Sequence, residues 1–239
     1  MDSESGIVNS VENEPILGEQ KESLAHPPEM DEVIDQIANA DWYVEEAKKK
    51  MQEKSSKRVA LDSRNFQGEL GEAMVRAALE HAASNNKNIS LDPIEDGVRS
   101  ENYVFRRQSD GRLYAHSLNS EGKEGDQVVE YDEVVLVHSK EGDIPVIIEA
   151  KVQNVDGSGR MRKVKDVMRK ESVERILGPV RDLFQTDNVG MVVVTTDEIH
   201  EARTGDVERQ FLEEGGVVVS MPVDMTWIWA QMLNSRFGK

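Results

Sequence analysis

The chain has 239 residues and no cysteine, and its 46 acidic and 29 basic side chains leave a net charge of −17. Without cysteine there are no disulfides, thiolate metal sites or cysteine nucleophile, and no apolar run approaches the ~18–20 residues of a membrane span. A soluble, intracellular protein is expected, and the acidic balance taken whole argues against a phosphate-bearing partner.

Residues 1–28 are polar and acidic, end in Pro27-Pro28 and read as a disordered lead-in. The first ten residues carry no secretory signal. Residues 29–60 form a helical extension. Val33, Ile37, Ala40, Val44, Ala47 and Met51 recur at steps of four and three. Asp31, Glu32 and Asp35 lie early and Lys48, Lys49, Lys50 and Lys54 late, as the helix dipole favours. This stripe either packs on the main domain or serves as a coiled-coil helix over 33–51, through which a homodimer or a partner protein would dock.

Residues 61–239 hold the main domain. Its first helix is expected over 63–84, with apolar residues around most of the circumference and a narrow polar stripe of Glu69, Glu72, Arg76 and Glu80. Gly68 and Gly71 inside it suggest close backbone approach by another segment. The period then changes to two. Runs at 102–107 and 112–118 flank Ser109-Asp110-Gly111, a hairpin signal. A long strand follows at 127–137 and another at 144–152, joined by a turn containing Gly142. A basic helix is expected over 162–184, a buried strand over 189–195, a helix over 197–214, a strand over 216–221 and a last helix over 226–236. Hairpin-linked strands followed by helix–strand alternation imply an α/β fold with a mixed sheet and helices on both faces.

Strand periodicity sorts the charges. Ile147, Glu149 and Lys151 share one face of their strand, and Ile148, Ala150 and Val152 the other. Glu130 and Asp132 share a face of the preceding strand, with Glu133 opposite. Charges on a buried sheet face are costly unless paired or bound to metal. Two carboxylates suit a hard divalent cation such as Mg²⁺ or Mn²⁺. Such an ion lowers the pKa of a bound water, and a neighbouring ammonium can stabilise charge developing on a phosphate. The bland reading of Asp132, Glu149 and Lys151 is an ordinary cross-strand ion pair.

Tyr131-Asp132 followed by Glu149-Ala150-Lys151 resembles the PD-(D/E)XK nuclease signature. Gly68-Glu69-Leu70-Gly71-Glu72 resembles the glutamate-bearing helix of that superfamily, and the likeness spans about 62–221. It implies a restriction-endonuclease-like α-β-β-β-α-β core. It implies that Asp132 and Glu149 bind the metal, that the carbonyl of Ala150 is a further ligand and that Lys151 positions the water. Glu72 is the implied helix glutamate, with Glu69 its competitor and Gln153 an additional polar site residue. Tyr131 stands where the motif has proline, and the 60 residues from Glu72 to Asp132 imply an added hairpin. The implied activity is Mg²⁺- or Mn²⁺-dependent phosphodiester hydrolysis, on DNA rather than RNA, in a cytoplasmic, nucleoid-associated protein. The alternative is a catalytically inactive module of the same fold that binds nucleic acid or scaffolds a protein complex.

The segment after the motif suits phosphate. Arg160, Arg162, Lys163, Lys165, Arg169, Lys170, Arg175 and Arg181 face three acids over 160–181, a local charge of +5. Arg99, Arg106, Arg107 and Arg112 add charge on the meander. The histidines lack metal-ligand spacing, Trp227 and Trp229 read as packing, and neither a P-loop nor GxGxxG is present.

Overall fold

The computed structural model describes residues 24–55, 63–108, 111–151, 160–195 and 205–221. Helices are α1 (Met30–Ala38), α2 (Val44–Ser55), α3 (Ser63–Asn85), α4 (Arg160–Met168), α5 (Lys170–Phe184) and α6 (Asp206–Glu213). Strands are β1 (Ile89–Leu91), β2 (Tyr103–Arg107), β3 (Leu113–Leu118), β4 (Glu124–Tyr131), β5 (Glu133–Ser139), β6 (Gly142–Ala150), β7 (Gly190–Thr195) and β8 (Val217–Ser220). The α/β class and the mixed sheet follow the sequence expectation, but the strands divide between two sheets. A five-stranded sheet runs β1-β5-β6-β7-β8, antiparallel from β1 to β6 and parallel from β6 to β8. A separate antiparallel sheet runs β2-β3-β4. No helix among the described residues is long and apolar enough to cross a membrane.

Strand β6 is central and buried on both faces from Ile144 onward, which explains its unbroken apolar run. Val146, Ile148 and Ala150 face one core with Met30, Ile37, Leu70, Met74 and Leu79 of α1 and α3. Ile147 faces the other core, with Phe105 and Tyr131 of the small sheet and Ile176 and Leu177 of α5. Two layers of side chains thus clamp the strand that carries Glu149.

The expected strand over 127–137 is the main correction. It is two strands, β4 and β5, in different sheets, with a bend at Asp132. Tyr131 pairs with Leu113, while Glu133 pairs with Ile148. Between them the Asp132 carboxylate accepts the Ala150 N–H at 2.8 Å, a side chain competing with backbone pairing at the bend. Strand β1 is an addition, paired with β5 through Ile89 and Val137. The basic helix is also two, broken at Arg169 in extended conformation. The helix expected over 226–236, with Trp227 and Trp229, lies outside the described residues.

The extension is not one helix. Asn39 ends α1, its side-chain amide donating to the Asp35 carbonyl at 2.7 Å, and a 3-10 turn at Ala40–Tyr43 leads into α2. Tyr43 bonds Gln36 through its hydroxyl (2.8 Å) and its ring lies 5.5 Å from that of His81. Val33, Ile37 and Ala47 are fully buried in the α1–α3 core. Those three residues of the stripe therefore pack on the domain. At Gly68 an added Cβ would meet nothing within 4 Å, so the close approach expected there is not seen.

The sequence puts residues 24–28 in the disordered lead-in, yet Leu24 and Ala25 are buried. The Leu24 N–H donates to the Glu214 carbonyl (2.5 Å) and the Ala25 N–H to the Val189 carbonyl (3.0 Å). Two glycines make room. A Cβ at Gly190 would sit 2.9 Å from the Ala25 carbonyl oxygen, and one at Gly215, where φ is +90°, 2.6 Å from that of Leu24. Gly190→Ala is therefore expected to destabilise the fold by about 1–3 kcal/mol through overpacking. It should also speed proteolysis just before α1. Urea denaturation and limited proteolysis check this, and an unchanged midpoint with unchanged cleavage would refute the seat.

Candidate active site

Asp132 enters the site because the chain bends there, and Glu149 because β6 ends there. Glu149 lies one residue beyond the Ile148 that pairs with Glu133, and it pairs in parallel with Val193 of β7. Lys151 follows the last residue of the strand, its N–H held by the Val194 carbonyl at 2.7 Å. The Lys151 ammonium bridges both carboxylates, donating to Asp132 Oδ2 at 3.0 Å and to Glu149 Oε2 at 2.7 Å. The same Asp132 oxygen takes the Ala150 N–H. The three residues singled out from strand periodicity thus converge.

Glu149 is the strained member. Its Oε2 has the lysine, but its Oε1 is buried without a hydrogen-bond partner. An orphaned buried carboxylate oxygen carries a full desolvation penalty. Burial, then the charge of Asp132, push the Glu149 carboxyl up to about 7 against the pull of Lys151. Burial opposes the Lys151 charge, but Asp132 and Glu149 overcome it and raise its pKa. Tyr131, just before Asp132, is fully buried, donates to the Ile176 carbonyl of α5 at 2.9 Å and stacks on Phe105. The residue in the motif's proline position therefore ties the bend to α5.

Glu72 reaches the same region from α3. Burial and then Asp132 raise its carboxyl to about 7, while Arg112 and Lys151 lower it and Glu69 raises it. Glu72 therefore senses the site directly, and Glu69 acts as its neighbour on the helix. Further along the polar stripe, Arg76 bonds Asp92 (2.5 and 3.1 Å), Glu133 (2.9 Å) and Glu80 (3.1 Å), fastening α3 to the start of β5.

Ala150 engages Asp132 through its N–H. Gln153 lies outside the described residues, as do the side chains of Arg160, Arg162 and Lys163. Lys165, Arg169 and Lys170 lie on or between α4 and α5, with Arg169 3.4 Å from Asp166. None of them is among the largest charges acting on Glu72, Glu149 or Lys151. Besides Lys151, the cation that acts on Glu72 is Arg112, 3.9 Å from Glu72 and 3.1 Å from Glu130. Sequence reading counted it only as meander charge. The signal that places it is the hairpin register.

A carboxyl whose pKa rises on folding binds its proton more tightly when folded. The contribution is most favourable below the ordinary value of 4.5 and is lost as pH climbs through about 7. Glu149→Gln cannot ionise, so its stability relative to the parent is expected to improve between about pH 5 and about pH 8. Urea midpoints at the two pH values measure this, and a pH-independent difference would show that Glu149 is not held neutral by burial. Comparisons of the chain with family models, curated proteins and solved structures give no match.

Proposed function

We propose that the chain is a divalent-cation-dependent nuclease hydrolysing phosphodiester bonds, in DNA before RNA. The observation that carries this is the Asp132–Glu149–Lys151 group, with the unpartnered, buried Oε1 of Glu149 at its centre. The element order supports the restriction-endonuclease-like reading. Helix α3 precedes the antiparallel β1, β5 and β6, and α4 and α5 then cross over to the parallel β7. The small sheet β2–β4 is the insertion that the long spacing between Glu72 and Asp132 implies.

The donor set fits a hard cation. Glu72, Glu130, Asp132 and Glu149 against Arg112 and Lys151 leave a charge of −2 when all are ionised, which one divalent ion offsets. Among the described residues no group of three His, Cys, Asp or Glu side chains is placed to hold a metal. Mg²⁺, however, is commonly held by one or two carboxylates and several waters, which Asp132 and Glu149 would supply. When bound, the ion acidifies a coordinated water and offsets charge on the phosphate. Lys151 holds both carboxylates in register and presents an ammonium to a phosphate oxygen as negative charge develops there. Asp132, fixed by the Ala150 N–H, keeps the lysine in place. Glu72, whose carboxyl titrates near neutrality, can hold or release a proton at the rim.

A second reading is a module of the same fold without chemistry. It is favoured by the lysine already bridging both carboxylates. Purified protein with Mg²⁺ or Mn²⁺ is expected to cleave DNA, and Asp132→Ala, Glu149→Gln and Lys151→Ala to lose at least about 100-fold in rate. Calorimetry should show Mn²⁺ uptake that requires Glu149. Equal cleavage by parent and variants would sink the nuclease reading, and DNA binding without Mn²⁺ uptake would favour the module.

A further inference from the structure

The charges around Asp132 form a floor and a rim. The side chains of Glu149, Asp132 and Lys151 are 5%, 14% and 22% exposed. Those of Glu72, Glu130 and Arg112 are 37%, 38% and 39% exposed. The more exposed set therefore borders the buried one, and Arg112 is the cation of these three.

Its position follows from the register. Strand β3 pairs with β4 so that Leu113 lies across from Tyr131. Arg112 directly precedes this pair, and Asp132 directly follows it. Glu130 (3.1 Å) and Glu72 (3.9 Å) then hold its guanidinium beside the carboxylates. The other meander arginines have different anchors. Arg106 is taken by Glu124 through two bonds of 2.9 and 2.6 Å. Arg107 bonds Asp92 at 3.0 Å and the carbonyls of Gly111 and Ile94. Arg99 bonds the Gly122 carbonyl at 2.9 Å.

We infer that Arg112 is the phosphate-contacting residue at the mouth of this site, gripping a backbone phosphate of the nucleic acid next to the one that reaches the floor. The inference rests on the proposed function for the identity of its ligand. A guanidinium suits the task because it stays charged, is weakly hydrated and presents two parallel N–H groups to phosphate oxygens. Glu72 and Glu130, together with a side-chain hydrogen bond to Tyr114, keep the fork at the rim when no phosphate is there, and a cation shared with Glu72 would weaken the carboxylate part of that hold. In a chain of net charge −17, a cation on the approach to a carboxylate floor gives a polyanion a first contact.

The test measures DNA affinity and cation affinity separately in the full chain. Fluorescence anisotropy with a labelled DNA duplex, in Ca²⁺ over a salt series, reads the first. Calorimetry with Mn²⁺ reads the second. Arg112→Gln is expected to weaken DNA binding roughly tenfold and reduce the salt slope by about one, with Mn²⁺ affinity kept or raised, because a cation competing for Glu72 is removed. Arg112→Lys keeps the charge without the fork, so it should recover the slope but only part of the affinity. It also serves as the folded reference if the glutamine variant loses structure, shown by its urea midpoint. Parental DNA affinity and slope in Arg112→Gln would overturn the inference. So would a change in Mn²⁺ affinity alone, which would make Arg112 a mere counter-ion of Glu72, or a parent that binds no DNA. A parent that binds DNA through Arg112 but never cleaves it would sink the nuclease reading and leave the phosphate contact standing.

Discussion

The bond from the Ala150 N–H to the Asp132 carboxylate is the constraint on which the architecture turns. It joins residues 18 positions apart, at the end of one strand and the break between two others. A continuous strand there would carry the meander on in the plane of the main sheet. With the bend, β4 turns into the small sheet while β5 stays in the large one. The same carboxylate receives Lys151, so the break that separates the sheets also assembles the charged floor. Local structure and site chemistry are set by one side chain.

The floor is polar in an apolar surround, and its surroundings are arranged to keep it there. Tyr131 anchors one side of the bend to α5, while Glu133 anchors the other to Arg76 of α3. Burial pushes the Glu133 carboxyl up, and Arg76 opposes that shift. Arg76 also takes Asp92, which has φ +50° and in turn receives Arg107 from the small sheet. Helix α3, strand β5 and strand β2 therefore meet in one ion cluster beside Asp132. Such clusters contribute modest net stability but fix geometry, because breaking one partner leaves a half-buried charge. Placing the floor is the stronger consequence.

Much of this was legible in the sequence. The apolar run of β6 announced a buried strand, and two charges on its apolar face announced a buried polar group. Asp110-Gly111 announced the β2–β3 hairpin, and the stripe through Val33, Ile37 and Ala47 announced a packed helix face. The bend at Asp132 was not legible, because an aspartate in an alternating run looks like any solvent-facing strand position. Its meaning comes from an N–H 18 residues later. Strand β1, at three residues, is too short to show a period. Asn39 sits inside an unbroken apolar stripe, so its role as a helix terminator does not show in the pattern. Arg112 required the β3–β4 pairing, which no local pattern supplies.

The glycine seat for Leu24 and Ala25 decides where the chain can be extended. Ala25 is tied to Val189, just before β7 begins, whereas the floor lies beside Val193 and Val194. Four to five positions along the strand separate them, roughly 13–16 Å along the sheet. The seat acts as a strain relief at the far pole of the parallel strands. A fluorophore or surface tether joined ahead of residue 24 would pull against β7 and the end of α6, away from the Asp132–Glu149–Lys151 end of the sheet.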